Sequence, residues 1–355
     1  MRLKFNNINI SLMKKYIMCA AVASVALAAC TKNEVKPVEM DQEVTYQTIN
    51  TKAASAFSTD HKFYSWAYLL ASGQNWADKY ATSSPYITNS LIEYVQSSSA
   101  WKNSTTSYYW PKKARLTFFA WSDATSAPSV SSPATVDCSK DGGIKFDNFN
   151  TSVDKNKDLL VSKIAADQTS NTSAHDSWAR GVPVVFYHVL SAMNVTAATN
   201  IDYGETKFKV KSVVFKDVLC KGTYTQGVDA TQTPIASNWA TVSDKSTFDV
   251  YSPTSPSSEL SITATPLDAQ NWDVSIFMPQ TFDDDAAKVV VSYQVTYGST
   301  GITDEVTIEK DLQSIFTEGW KPGYKYTLNI VIGLDEVLWD PDIQSWEPGT
   351  GTVTI

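Results

Sequence analysis

Chemically active side chains are sparse in this sequence, and a calcium-loop pattern is the first candidate. Asp154, Asn156 and Asp158 alternate as the first oxygen ligands of an EF-hand loop do. Leu159 and Ala165, however, stand where that loop requires a glycine and a bidentate glutamate. The pattern fits a polar turn leading into a strand better, so we expect no metal site.

The remaining candidates for catalysis or cation binding are isolated from one another. His188 shares a strand face with Val184 and Phe186, which favours a core histidine. His175–Ser177 sets a histidine, an acid and a serine side by side, but chain adjacency makes no triad and no G-x-S-x-G elbow exists. Asp283–Asp285 is typical of a solvated loop. We expect no enzyme and no cofactor; carboxylates paired from distant strands leave a secreted hydrolase as a minor alternative.

Cys30 has the clearest chemical assignment. Met13–Tyr16 is a short basic segment, and the apolar run Ile17–Ala29 after it is shorter than the about 20 residues of a membrane-spanning helix. The run ends in small residues directly before Cys30, the pattern of a lipobox, whose thiol receives diacylglycerol before cleavage. We predict lipidation at Cys30 and stable anchoring in a membrane. An ordinary signal peptide with a chance cysteine is the alternative.

Charge and cysteine content narrow the partners further. The formal net charge of −8 would repel nucleic acid and anionic membrane surfaces, so we expect neither as a general partner. No C-x-x-C pair is present, which excludes zinc-ribbon and thioredoxin-type motifs. Cys138 and Cys220 lie far apart in sequence, and we expect two isolated, buried thiols.

Alternating apolar residues predict an all-β fold. In Lys288–Tyr297, every second side chain is apolar, and Tyr326–Ile332 repeats the pattern. Val182–Leu190 is apolar on both faces, as in a central strand of a sandwich. The best short helix candidate is Glu309–Thr317. Short strands with regular turns indicate β-sandwiches.

The chain divides into four predicted parts. Residues 1–29 are a signal peptide, and residues 30–50 are a lipidated linker with a first strand. Residues 51–200 and 201–355 are an N-terminal and a C-terminal β-sandwich domain, divided in the weakly patterned stretch near residue 200.

Tryptophans cluster in the N-terminal half and admit two interpretations. Exposed, Trp66, Trp76 and Trp101 could stack on sugar rings, which motivates a surface glycan-binding lipoprotein as the alternative function. Buried, these rings would be part of a sandwich core, together with Trp110 and Trp121. We favour the core for most of them.

Several motifs resemble the fimbrillin family, the Mfa-like pilins and pilus-anchor lipoproteins of Gram-negative anaerobes. The resemblance begins at Tyr108–Pro111 and Leu116–Trp121, and continues through Asp158–Ser162 and the run around His188. Trp320–Leu328 resembles the family's W-x-x-G-x-x-Y element, and the closing strand at Asp342–Trp346 resembles its I-x-x-W. The order of these motifs matches the family from about residue 57 onward.

The resemblance implies two transthyretin-like β-sandwich domains and assembly by strand exchange. A protease then removes the first strand after a basic residue, and a neighbouring subunit fills the groove. Glu43–Ile49 is the expected removable strand, Lys52 the expected cut site and Lys62 the second choice. A C-terminal strand with Val353 and Ile355 on one face is an acceptable donor.

The leading hypothesis is therefore a structural or adhesive subunit of a cell-surface pilus, exported as a lipoprotein. Its expected partners are other pilus subunits in a homo- or hetero-polymer, the outer membrane through the lipid, and a host or bacterial surface ligand. Stalk, tip and anchor roles all stay open.

Overall fold

Strands dominate the computed structural model, as the alternation predicts. It describes residues 42–49, 57–78, 84–170, 181–200, 206–236, 239–255, 259–265, 267–268, 276–283, 286–333 and 337–346. The strands are β1 (Tyr46–Thr48), β2 (Phe63–Leu70), β3 (Ile87–Val95), β4 (Ala100–Asn103), β5 (Arg115–Ser122), β6 (Thr135–Ser139), β7 (Gly143–Asn150), β8 (Leu160–Ser162), β9 (Ala165–Gln168), β10 (Val182–Val184), β11 (Phe186–His188), β12 (Ser191–Thr199), β13 (Lys207–Thr225), β14 (Trp239–Tyr251), β15 (Leu260–Ile262), β16 (Leu267–Asp268), β17 (Ile276–Phe277), β18 (Lys288–Tyr297), β19 (Ile302–Asp311), β20 (Tyr324–Ile332) and β21 (Val337–Ser345).

Helix is confined to short pieces in the described ranges. One α-helical turn, α1, spans Leu312–Ile315. It is shorter than the predicted Glu309–Thr317 because the first residues of that stretch pair with β18 as the end of β19. The 3₁₀ turns are Trp76–Asp78, Gln96–Ser98, Pro234–Ala236 and Gly298–Thr300. No helix among the described residues has the length and apolar character to cross a bilayer.

The first sheet has the order β10-β1-β4-β3-β2-β5-β8-β11, with β9 beside β5. The predicted single strand Val182–Leu190 is divided at Val185 into β10 and β11, which lie at opposite ends of this order. Because adjacent chain segments form both ends, the sheet curls around an aromatic core. The short β1 therefore lies next to the seam of the curled sheet.

Two further sheets contain strands from both halves of the sequence. The second has the order β16-β12-β20-β21, with β17 beside β12. The third has the order β19-β18-β13-β7-β6, with β14 and β15 also paired to β13. Residues 43–355 form one compact unit. The division at residue 200 into two sandwich domains stays a prediction.

Three apolar clusters fill the interior. One is built from residues between Val44 and Phe186 and lies inside the first sheet. A second is built from residues between Met193 and Ile332, with Trp320 and Tyr326 fully buried. The third joins residues of both halves, from Trp66 to Met278.

Candidate functional site

The strand β1 lies in a groove between β4 and β10 and is hydrogen bonded on both sides. It runs parallel to β10. On that side the Val182 N–H donates to the Thr45 carbonyl at 2.8 Å, and the Ile49 N–H donates to the Val184 carbonyl at 2.9 Å. It runs antiparallel to β4, where Tyr46 pairs with Trp101. Only a few ladder positions therefore hold this strand.

Side chains of the segment fill the aromatic core beneath it. Val44 and Tyr46 are each 3% exposed. The Tyr46 ring meets the edges or faces of Phe63 and Phe118, each with a centroid distance of 5.6 Å. Its hydroxyl donates to the Ser65 Oγ at 3.1 Å, and burial raises the Tyr46 pKa. The alternation puts apolar side chains inside, as a strand that plugs a groove requires.

Gly181 allows the backbone of β1 to approach the start of β10. A Cβ atom added at Gly181 would lie 2.5 to 2.8 Å from backbone atoms of Tyr46. Those distances are shorter than any tolerated carbon contact, and backbone atoms cannot turn away as a side chain can. The strand β1 can therefore occupy the groove only because Gly181 has no side chain.

The outward face of the segment begins with an acid. The Glu43 carboxylate accepts a hydrogen bond from the Lys102 Nζ at 2.9 Å and from the Ser107 Oγ at 2.7 Å. Burial by itself would raise the Glu43 pKa, but the hydrogen bonds of Lys102 and Ser107 and the charge of Lys102 outweigh it and hold the pKa below its usual value. Glu43 also forms a β-bridge with Tyr109.

The segment 43–49, which we call the plug, fills the groove from the N-terminal end of the described fold. The segment 43–49 stands at the N-terminal end of its compact unit, so withdrawing it threads no other strand through the fold. Withdrawal would leave unpaired N–H and C=O groups on β4 and β10 above an aromatic pocket. Such an open edge is completed by an added strand that brings alternate apolar side chains.

Two predicted site residues lie outside the described ranges. These are Cys30, the expected lipidation site, and Lys52, the expected cut site; the candidate donor residues Val353 and Ile355 lie outside them as well. Each stays a prediction.

Lys62, the second choice for cleavage, is tied into the fold. Its N–H donates to the Thr125 carbonyl at 2.8 Å, and its own carbonyl accepts from the Ser122 Oγ at 2.6 Å. A cut there would also release Phe57, which is 2% exposed and stacks on Phe186 at 4.9 Å. A protease needs an extended, accessible peptide, so these contacts disfavour cleavage at Lys62.

The tryptophans considered for sugar stacking are buried. Trp66, Trp76 and Trp101 are 3%, 6% and 5% exposed. The Trp76 indole N–H also donates to the Val228 carbonyl at 2.8 Å. None presents a ring face to a polysaccharide, so the structure corrects the stacking interpretation and supports the core one.

The calcium-like residues serve local structure. The Asp154 carboxylate accepts the Ser131 N–H at 2.9 Å and the Ser131 hydroxyl at 2.6 Å, and Lys157 lies 3.1 Å from it. Asp158 pairs instead with His188, Oδ2 to Nδ1 at 2.5 Å. In the described part of the chain, no group of three or more His, Cys, Asp or Glu side chains is placed to hold a metal.

His188 is a core histidine, as its strand face indicates. It is 1% exposed, and its ring stacks on Trp346 with a centroid distance of 3.6 Å. Cys138 and Cys220 are both buried and unbridged, which confirms the prediction of two isolated thiols.

Sequence reasoning missed three residues of the groove: Gly181, Ser65 and Lys102. The sequence could have indicated Gly181, because a lone glycine directly before an apolar strand often marks a close approach of two backbones. Ser65 and Lys102 carried none, because their partners Tyr46 and Glu43 are distant in sequence.

Comparison with known proteins agrees with this fold. The crystal structure of a fimbrial protein from Bacteroides vulgatus matches with a TM-score of 0.56 at 17% identity, over 86% of this chain and all of that one. A candidate cell adhesion protein from Bacteroides uniformis matches with a TM-score of 0.48 at 13% identity, over 88% and 100%. The fimbrial anchor protein Mfa2 from Porphyromonas gingivalis matches with a TM-score of 0.34 at 11% identity, over 87% and 99%. Of these three, only the first superposes well enough to support the fold.

No curated protein matches the chain. The profile of the fimbrillin-like family, however, matches residues 36–346, which include β1, its groove and every strand described above. The chain belongs to the fimbrillin-like family.

Proposed function

We propose that this chain is a subunit of a cell-surface pilus and that it receives a strand from a neighbouring subunit in the groove of β1. Family membership supports the pilus role. The observation that supports strand exchange is how the segment 43–49 is held: Val44 and Tyr46 are buried, yet few backbone pairs hold β1. A replacement strand with the same alternation restores both the packing and the hydrogen bonds.

The proposed route starts with export as a lipoprotein. The lipobox supports diacylation of Cys30, and two or more acyl chains give stable attachment to the outer membrane. The body of the chain is acidic, so anionic groups at the membrane surface would repel it, and it stands off the membrane on its lipidated linker.

Cleavage after Lys52 then frees the plug. Lys52 lies in the sequence between the end of β1 at Thr48 and Phe57, so a cut there removes the segment 43–49 and leaves Phe57 in the core. The new N-terminus would be Ala53.

A C-terminal segment of this same chain has a matching order of residue types in its sequence. Val353–Ile355 reads Val-Thr-Ile, and Val44–Tyr46 reads Val-Thr-Tyr. In the groove, Val353 and Ile355 would take the pockets of Val44 and Tyr46. Thr354 would face outward, as Thr45 does.

Mass analysis of the N-terminus of protein from native membranes tests the route. We expect either a triacylated or diacylated Cys30 on the uncut precursor or an N-terminus at Ala53 on assembled protein. An unmodified Cys30 thiol, or assembled protein that retains the segment 43–49, would contradict the proposal.

A further inference from the structure

A carboxylate-binding pair stands at the end of the groove where the plug begins. Lys102 on β4 and Ser107 in the following loop both hydrogen bond to the Glu43 carboxylate, one to each oxygen. The Glu43 and Lys102 side chains are 26% and 23% exposed, so this ion pair is partly screened from water. Together the two donors fix the first outward-facing side chain of the strand.

Removal of the plug would leave Lys102 without this carboxylate. Glu93 is the acid directly opposite Lys102 in the pairing of β3 with β4. Glu93 is occupied by Lys62, with its Oε2 2.5 Å from the Lys62 Nζ. In the empty groove, the Lys102 ammonium and the Ser107 hydroxyl would therefore bind the carboxylate of an incoming strand.

We propose that Lys102 and Ser107 select donor strands that carry an acidic side chain directly before the first pocket-filling residue. The inference rests on the proposed strand exchange and adds a specificity to it. The preferred donor reads acid, apolar, any residue, apolar, as Glu43–Tyr46 does.

The rule distinguishes between possible donors. If Val353 takes the place of Val44, Thr352 falls where Glu43 was, and a threonine forms no ion pair with Lys102. An acid-led strand from a different subunit then binds this groove more tightly than the 352–355 segment of another copy does. Charge at the mouth of the groove thus favours a mixed polymer over a homopolymer.

Peptide capture tests the rule. The full chain is cut with a lysine-specific protease while an excess of labelled peptide is present, either the 43–49 sequence or the same peptide with Glu43→Gln. We expect the glutamate-led peptide to be retained about 5- to 10-fold more strongly, as for a charge-assisted hydrogen bond that is partly exposed. Ser107→Ala should reduce that ratio about twofold, since one of two donors is lost.

Reversing the charge of Lys102 distinguishes a lysine that selects the peptide by charge from a lysine that only supports the fold. In Lys102→Glu, a peptide led by lysine should be retained better than the glutamate-led one. The matched control is Lys113→Glu, which makes the same charge change at an exposed position of the neighbouring loop and should keep the original preference.

The outcomes separate the two proposals. Equal retention of the glutamate- and glutamine-led peptides by the unaltered groove would overturn the selection rule and leave strand exchange standing. Retention of neither peptide after a verified cut would overturn strand exchange and this inference with it.

Discussion

The strands β1 and β21 are held by opposite means. The three residues of β1 make few ladder pairs, but Val44 and Tyr46 at this site are almost fully buried. The nine residues of β21 pair continuously with β20, yet Leu338 and Ile343 are 47% and 52% exposed. The first strand is retained mainly by its side chains, and the second mainly by its backbone, with Val337 and Trp339 only partly buried against the core.

The difference explains which strand suits exchange. Under the proposed strand exchange, the pockets beneath β1 select an incoming strand by its alternate side chains. The edge strand β21 offers no such pocket and is protected against pairing by Pro341, which has no N–H, and by the charges of Asp340 and Asp342.

The largest expected effect comes from blocking the groove. In Gly181→Val, the new side chain would occupy the space of the Tyr46 backbone, so neither β1 nor a donor strand could seat. We expect amide hydrogen exchange across 44–49 to rise to the rate of unstructured chain. The free energy that holds the segment in the groove, about 3–5 kcal/mol for one buried aromatic side chain, would then be lost. The control is Gly73→Val, which strains a left-handed turn but meets no atom within 4 Å. Retained protection of 44–49 in Gly181→Val would show that the close approach is not a condition of seating.

Truncation of the plug's main side chain ranks next. Tyr46→Ala removes a ring packed on Phe63 and Phe118, and the expected loss in the free energy of unfolding is about 3–5 kcal/mol. Ile343→Ala on β21 should change it by no more than about 0.5 kcal/mol, because that side chain is half exposed. Chemical denaturation measures both, and similar losses would remove the contrast between the two strands.

A smaller effect follows from pH. The Glu43 pKa in the folded chain lies below its ordinary value of 4.5, so the ionised carboxylate stabilises the seated plug above that pH. The contribution is lost as pH falls below 4.5 and through the folded pKa. We expect hydrogen exchange of 44–49 to quicken over that acid range in the native chain and to show less pH dependence in Glu43→Gln. An identical pH profile for both would mean that Lys102 and Ser107 contribute nothing to seating.

The alternation of apolar residues was sufficient to predict individual strands. Lys288–Tyr297 is a strand with the predicted bounds, and the segment Glu43–Ile49 contains β1. The division of Val182–Leu190 could not be predicted, because an apolar run carries no mark of the point where it passes from one side of a curled sheet to the other. For Trp66, Trp76 and Trp101 the sequence favours the core but leaves sugar stacking open, since composition does not separate core aromatics from exposed ones.

The groove shows the same limit at the level of the site. Alternation at Val44 and Tyr46 indicates a strand with one buried face, and family resemblance indicates that it is removable. The residues that receive it, Ser65, Gly181 and Lys102, come from β2, the start of β10 and β4. Only the tertiary fold brings them together, because each is far in sequence from the residue it contacts.

Assembly after removal of the plug is the most direct test of strand exchange. The purified full chain is trimmed by limited digestion, the new N-terminus is verified at Ala53 by mass, and the protein is concentrated and run on denaturing gels without heating. We expect a ladder of SDS-resistant oligomers that is absent before trimming and abolished by Gly181→Val. A correctly trimmed chain that stays strictly monomeric at high concentration, even with acid-led subunits of the native pilus added, would contradict the account.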